Sequence, residues 1–240
     1  MSTQNLKGKK AIVTGGTRGI GRAIARMLLL EGAEVAICGR TEDSTARAVS
    51  ELAAETSGVV HGAGCDVTQK GEAQKFFAYT DDRLGSLDIL VNNAGIGIFR
   101  SVAEMELEDW QKTIETNLTS VFHFCHLAIS RFRASGGGFV VNISSLAGRN
   151  PFAGGAAYNA SKFGLNGFTE ALMLDHRNDR IRVCSVMPGS VSTEFSGHAS
   201  LADWKIQPED IAEVVRMVLT MPERTMVSRV EIRPSSPAKS

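Results

Sequence analysis

Tyr158 and Lys162 stand four residues apart in Tyr158-Asn159-Ala160-Ser161-Lys162, the spacing that puts two side chains on one face of a helix. A tyrosine hydroxyl ordinarily titrates near ~10 and is a sluggish base at neutral pH. A lysine ammonium beside it stabilises the phenolate and brings its pKa toward working pH, where acid–base catalysis is efficient. An ordinary helix with a packed tyrosine and a solvated lysine shows the same spacing, so the pair needs company. Ser145 supplies it. It precedes Tyr158 by thirteen residues and follows the apolar run Phe139 to Ile143, so its hydroxyl sits at a strand end and can donate to a carbonyl oxygen beside the tyrosine. Ser144 reads as a helix-cap or turn serine.

A second set of residues suits phosphate. Thr14-Gly15-Gly16-Thr17-Arg18-Gly19-Ile20-Gly21 follows the β-branched run Ala11-Ile12-Val13. Gly15, Gly19 and Gly21 leave room for a pyrophosphate to approach the backbone, and the following helix offers free N–H groups and its positive dipole end. The spacing is GxxxGxG rather than GxGxxG, and tight packing alone is the plainer reading of such a turn. The next apolar run ends Cys38-Gly39-Arg40. A carboxylate at that tip binds the adenosine ribose and repels a 2′-phosphate. Here Arg40 offers a planar fork instead, with Arg18 on the same side. Glu42 and Asp43 weigh against this, although in the first turn of the next helix they suit its dipole.

The elements that must hold these residues alternate from the start. Short apolar strands are expected at Ala11–Val13, Val35–Cys38, Val59–Val67, Asp88–Val91, Phe139–Ile143, Arg182–Met187 and Val227–Ile232. Amphipathic helices separate them. One carries Ile20, Ala23, Ile24, Met27 and Leu28. Another is expected to run unbroken from about Leu107 to Phe132, with Leu118, Val121, Phe122, Cys125 and Ile129 on one face. A third runs from about Ala156 to Leu174 and carries Tyr158. Such alternation means a parallel sheet covered on both sides. The expected fold class is α/β: a single Rossmann-type doubly wound domain over residues 1–240, with a seven-stranded, mostly parallel sheet and helices on both faces. Residues 234–240 are expected to form a disordered tail.

Composition narrows the field. At 240 residues, 43% hydrophobic and 22% charged, the chain suits one globular domain rather than a disordered one. Lys+Arg and Asp+Glu balance at 26 each, so no nucleic-acid or anionic-membrane partner is called for. There is no run of the ~18 apolar residues that a membrane span needs, and no signal-peptide stretch. The expected location is cytoplasmic. Cys38, Cys65, Cys125 and Cys184 are scattered, which favours reduced thiols over zinc ligands. His123 and His126 lie three apart, but no third ligand accompanies them, so no metal site is expected. Glu104, Glu106, Glu108 and Asp109 suit a helix start and a solvated face.

TGGTRGIG, NNAG (Asn92 to Gly95), Asn117, NISS, YNASK and Pro188-Gly189-Ser190-Val191-Ser192-Thr193 stand in an order and spacing that resembles the short-chain dehydrogenase/reductase family across about residues 8 to 233. The resemblance implies a catalytic set of Asn117, Ser145, Tyr158 and Lys162. Tyr158 would donate the proton in carbonyl reduction, and Ser145 would orient the substrate oxygen. Lys162 would lower the Tyr158 pKa and hold the nicotinamide ribose; Asn117 would support a water in the relay. It further implies that Gly15, Thr17, Arg18, Gly19, Ile20, Gly21, Arg40, Asp66, Val67, Asn93, Ala94, Gly95, Tyr158, Lys162, Pro188, Gly189, Val191 and Thr193 meet the cofactor, with Asp66-Val67 at the adenine. With Arg18 and Arg40, that cofactor is expected to be NADP (NADPH) in preference to NAD.

The resemblance extends to 3-oxoacyl-[acyl-carrier-protein] reductases and to 3-hydroxy acid dehydrogenases, the latter around Phe152 to Gly155 and Thr193 to Ser196. A 3-oxoacyl or 3-oxo acid substrate is therefore the leading expectation. A small ketone, aldehyde, sugar or polyol dehydrogenase is the alternative, and a nucleotide-sensing scaffold is the alternative from another class. The family keeps its lid where only fourteen residues separate Thr193 from Pro208; so short a lid leaves an open cleft that a bulky steroid site would rarely use. Ile96, Gly97, Arg149, Phe152, Gly189 and Phe195 are expected in the pocket wall, and Trp204 in the lid. Arg131, Arg133, Arg177 and Arg180 are the candidates for docking an acyl carrier protein. Helix 107–132 and the Tyr158 helix carry apolar residues on more than one face, and family members pair such helices, so a homotetramer is expected, with a dimer next.

Overall fold

The computed structural model describes residues 6–195 and 202–236. Residues 237–240 of the expected tail and Ser196 of the lid lie outside the described residues. In chain order the elements are β1 (Lys10–Thr14), α1 (Gly19–Leu30), β2 (Glu34–Gly39), α2 (Glu42–Thr56), β3 (Val60–Gly64), α3 (Glu72–Leu84), β4 (Ile89–Asn92), α4 (Leu107–Ile114), α5 (Ser120–Ala134), β5 (Gly138–Ile143), α6 (Ala156–His176), β6 (Ile181–Pro188), α7 (Pro208–Leu219) and β7 (Arg229–Ile232). The sheet order is β3-β2-β1-β4-β5-β6-β7, and all six pairings are parallel.

Each strand is buried on both faces because its apolar residues serve two cores in turn. Ala11 and Val13 join α1, α2 and α7 on one side of the sheet. Ile12 between them joins α3, α5 and α6 on the other. A side-chain period of two thus makes a continuous apolar run the correct sequence for a central parallel strand. The chain leaves β1 toward β2 on one side and later returns through β4 on the other. The switch point, where strand ends splay and ligands enter, is therefore between β1 and β4.

Two expected elements differ. β3 stops at Gly64, short of the expected Val67. The Asp66 carboxylate accepts from Thr68 N at 3.1 Å and from Thr68 Oγ1 at 2.7 Å, and this side-chain turn takes the backbone out of the ladder. The expected unbroken helix from 107 to 132 is interrupted by a π-turn over Glu115–Thr119. Past that turn Val121, Cys125 and Ile129 are buried as expected, whereas Phe122 is exposed. Leu118, within the turn, still packs partly against that core, so of the expected stripe only Phe122 is left outside.

Candidate active site

The glycine-rich turn is built around backbone contact. Gly15 and Gly19 have φ of 64° and 54°, a region costly for residues with a Cβ. A Cβ on Gly21 would fall 2.3 Å from Gly15 O and 2.4 Å from Asn93 Nδ2. Asn93 Nδ2 donates to Thr14 O at 3.0 Å and to Gly15 O at 3.1 Å, and Thr14 Oγ1 accepts from Asn93 N and Ala94 N, each at 3.0 Å. Asn93 and Ala94 are thus fastened across the switch point. Helix α1 has no side-chain cap and no acidic residue in its first turn, which leaves its leading N–H groups for an anion. The cradle and bare helix end fit a dinucleotide pyrophosphate.

Thr17 lies against Gly39, where an added Cβ would meet Thr17 Cγ2 at 2.4 Å. The turn therefore sits on the end of β2, beside Arg40. Two side chains differ from expectation here. Arg18 donates to Glu194 Oε2 at 3.2 Å, so its guanidinium reaches the lid base rather than closing on Arg40. Glu42 is not left to the helix dipole alone: its carboxylate accepts from Gly64 N at 2.5 Å. Cys65 N bonds Gly39 O at 2.8 Å, which brings Asp66 and Val67 to the same rim. Ile20 packs partly into the core below.

At the other end of the cleft, Thr193 approaches Gly19, with Cγ2 3.4 Å from where a Cβ would stand. Val191 bridges to Ile206, and Gly189 N donates to Ile232 O at 2.8 Å. These contacts place the segment from Pro188 to Thr193 alongside the glycine-rich turn.

Tyr158 and Lys162 share a face of α6, as their spacing requires. Lys162 Nζ is 5.8 Å from the centre of the tyrosine ring and donates to Ile143 O at 2.9 Å. Burial lowers the Lys162 pKa to about 8. The Tyr158 phenol is pushed above its ordinary value by burial, opposed by its hydrogen bond with Ser145. Lys162 is not among the groups that shift the phenol here. Ser145 Oγ accepts from Ala147 N at 3.1 Å and reaches Pro188 O only at 3.5 Å, which leaves its proton for Tyr158. The capping serine is therefore Ser145. Ser144, expected in that role, has a buried Oγ without a hydrogen-bond partner.

Asn117 lies in the π-turn. Its Nδ2 donates to Ile96 O at 2.9 Å and to Ser161 Oγ at 3.0 Å, and its Oδ1 accepts from Ile96 N at 2.8 Å. The side chain therefore clamps the strand β4 loop to α6.

Three phenylalanines surround Tyr158. Phe99 and Phe195 meet it edge-on, with ring centres at 5.6 and 5.8 Å, and Phe152 lies at 6.5 Å. Phe152 and Phe195 were expected; Phe99 was not. It is brought in by a bridge between Arg100 and Gly155, a pairing with no local signal in the sequence. Arg149, expected in the wall, pairs with Glu231 at 2.5 Å. A cleft of about 310 Å³ lies beside the site, lined by Val102, Met105, Glu106, Leu107, Trp110 and Ala156.

Among the described residues no His, Cys, Asp or Glu cluster could hold a metal. His123 and His126 pack on Phe122, with ring centres at 5.4 and 5.8 Å. All four cysteines are buried and unbridged.

The sequence and fold resemble those of known proteins. A family model described as short chain dehydrogenase matches residues 9–203. A 3beta-hydroxysteroid dehydrogenase of Mediterraneibacter gnavus is 38% identical over 205 residues, covering 85% of this chain and 73% of that one. The structure of an alcohol dehydrogenase from Thermococcus sibiricus complexed with 5-hydroxy-NADP is similar at a TM-score of 0.90 and 27% identity, covering 97% and 99% of the two chains. A metagenomic short-chain oxidoreductase in complex with NADP is 35% identical, with a TM-score of 0.85 and coverage of 98% and 100%.

Proposed function

The chain belongs to the short chain dehydrogenase family and is a NAD(P)-dependent oxidoreductase, and from that premise we propose that it is an NADPH-dependent carbonyl reductase acting on ketones, 3-oxoacyl esters and thioesters among them. The observation that carries the reading is the grouping of Tyr158 with Lys162, whose Nζ is 5.8 Å from the tyrosine ring centre, and with Ser145 at the end of β5.

A carbonyl oxygen placed between the two hydroxyls accepts a hydrogen bond from Ser145 and the proton of Tyr158. A nicotinamide cofactor, when bound, would supply the hydride that the carbonyl carbon takes. Hydride and proton together turn the C=O into a CH–OH, and Lys162 holds positive charge behind the phenolate that Tyr158 becomes. With Lys162 near 8, that charge is present at neutral pH. Arg40 follows β2 beside Thr17, where a 2′-phosphate would lie, with Arg18 available to it only on leaving Glu194, and two solved relatives carry NADP-type cofactors; both favour NADPH over NADH.

The free 3-oxo acid draws less support, since Arg149 is already paired with Glu231. Docking of an acyl carrier protein is likewise unsupported by Arg131, bridged to Asp81, and Arg133, bridged to Asp179.

Steady-state oxidation of NADPH and NADH with a neutral ketone tests the reading. NADPH is expected to be favoured about ten- to a hundredfold in kcat/KM, the effect of one charge-assisted phosphate contact. Tyr158→Phe is expected to lower kcat by ~10²–10⁴ with cofactor binding retained. A Phe variant that kept a tenth of the turnover would remove Tyr158 from the proton step.

A further inference from the structure

Gly97 and Gly155 are not in the left-handed region, so their lack of a side chain answers a need for space. A Cβ on Gly97 would stand 2.6 Å from Phe195 Cε1 and 2.7 Å from Phe99 Cζ; on Gly155 it would stand 2.6 Å from Phe152 Cε2 and 2.7 Å from its Cζ. Three aromatic rings thus lie directly on bare backbone. Phe99 and Phe152 also meet each other at 5.5 Å and 65°. All three rings border Tyr158, yet they remain 45%, 45% and 41% exposed for Phe99, Phe152 and Phe195.

Rings held in place but left uncovered beside a catalytic hydroxyl present apolar surface to whatever the hydroxyl acts on. The charged neighbours do not compete for that ligand, because Arg100 is paired with Asp109 and Arg149 with Glu231. A neutral, flat, apolar group suits the space. Aromatic rings set at steep angles reward a further ring by edge-to-face contact that a saturated ring of equal size cannot make.

We propose that the carbonyl substrate bears an aromatic substituent, and that Phe99, Phe152 and Phe195 form the cradle for its ring while its oxygen lies at Ser145 and Tyr158. This rests on the carbonyl-reductase reading above. It goes further in naming the substrate class, and it makes Phe99 a specificity-determining residue.

The experiment compares two pairs of probes matched in size. Binding of 1-phenylethanol and 1-cyclohexylethanol to the NADPH-loaded protein, a pair that cannot react, is measured by titration calorimetry, and kcat/KM for acetophenone and cyclohexyl methyl ketone with NADPH. The aryl member of each pair is expected to win by about fivefold or more. Phe99→Leu and Phe152→Leu keep apolar bulk but remove the π face, and are expected to bring both ratios toward one. Equal binding of the two alcohols by the wild-type protein, or unchanged ratios in both Leu variants, would overturn the cradle. If neither ketone turns over while the aryl alcohol still binds preferentially, the reductase reading fails and the cradle stands. If both ketones turn over equally well, the cradle fails and the reductase stands.

Discussion

Arg18 has two possible partners, and their strengths differ. Its ion pair with Glu194 is between side chains 72% and 66% exposed, a setting in which such pairs contribute ~0–1 kcal/mol. A phosphate takes a guanidinium bidentately and with more charge, at ~1.5–3 kcal/mol. The phosphate should displace the glutamate, but against its resistance. Glu194→Gln is therefore expected to lower the KM for NADPH by about twofold to fivefold, the equivalent of the lost pair, and to leave that for NADH in place. Arg40→Asp should abolish or invert the cofactor preference. Initial-rate measurements with both cofactors decide, and parallel movement of the two KM values in the glutamine variant would reject the competition. Lys162 makes a second residue-scale prediction. Its pKa falls from 10.5 to about 8 through burial, so between those values the unfolded chain binds more protons than the folded one. The penalty is fully present below pH 8 and is relieved as pH rises toward 10.5. Without cofactor, the stability of the wild type relative to Lys162→Met should thus rise across that window, by roughly 3 kcal/mol at 1.36 per pKa unit. Denaturant melts of both proteins from pH 7 to 10.5 measure it; a flat difference would mean that Lys162 is solvated in the folded protein.

At the scale of elements, what the sequence revealed depended on whether the physics was local. Central strands were legible because two-sided burial writes a continuous apolar run, as in Ala11-Ile12-Val13 and Val140-Val141. The glycine-rich turn was legible because its positive-φ positions admit little else. Tyr158, Lys162 and Ser145 were legible through spacing and their place at a strand end. Helix 107–134 was legible as an apolar stripe, but its π-turn was not. An apolar stripe carries no mark of one extra residue in a turn, and the bonds from Asn117 to Ile96 form between residues 21 apart once the chain has folded. Which of Ser144 and Ser145 makes the capping contact was hidden for a related reason. Two adjacent serines at a strand end look alike until the next turn chooses which of them Ala147 N can reach. Phe99 and Glu194 were out of sight altogether, since their partners Tyr158 and Arg18 lie far along the chain and meet them only after the sheet has assembled.

For the molecule as a whole, the face opposite the sheet on α4, α5 and α6 remains to be covered. Leu107, Phe122, Phe163 and Leu174 are large apolar side chains exposed by 62%, 48%, 45% and 59%, while the buried stripes of the same helices already face the core. Phe122 and Phe168 meet at 6.4 Å, and Gly164 leaves room for Leu118, which a Cβ there would meet at 2.8 Å. These contacts tie α5 to α6 and the turn before α5 to α6, beneath the exposed Phe122 and Phe163. A helix that is apolar on two sides is stable when both are buried, and a second copy of the same face is the simplest cover, since a two-fold axis pairs a patch with itself. Such an interface needs ~800 Å² from each partner, a scale that two helices can supply. We expect a homotetramer built on this pairing, with a dimer next. Light scattering coupled to size exclusion at micromolar concentration should give a multiple of 25.7 kDa, and Phe122→Glu or Leu174→Glu, which place a charge on the shared face, should lower that mass. A wild-type particle of 25.7 kDa would mean that these helices meet water on their outer side and that the apolar residues there serve another purpose.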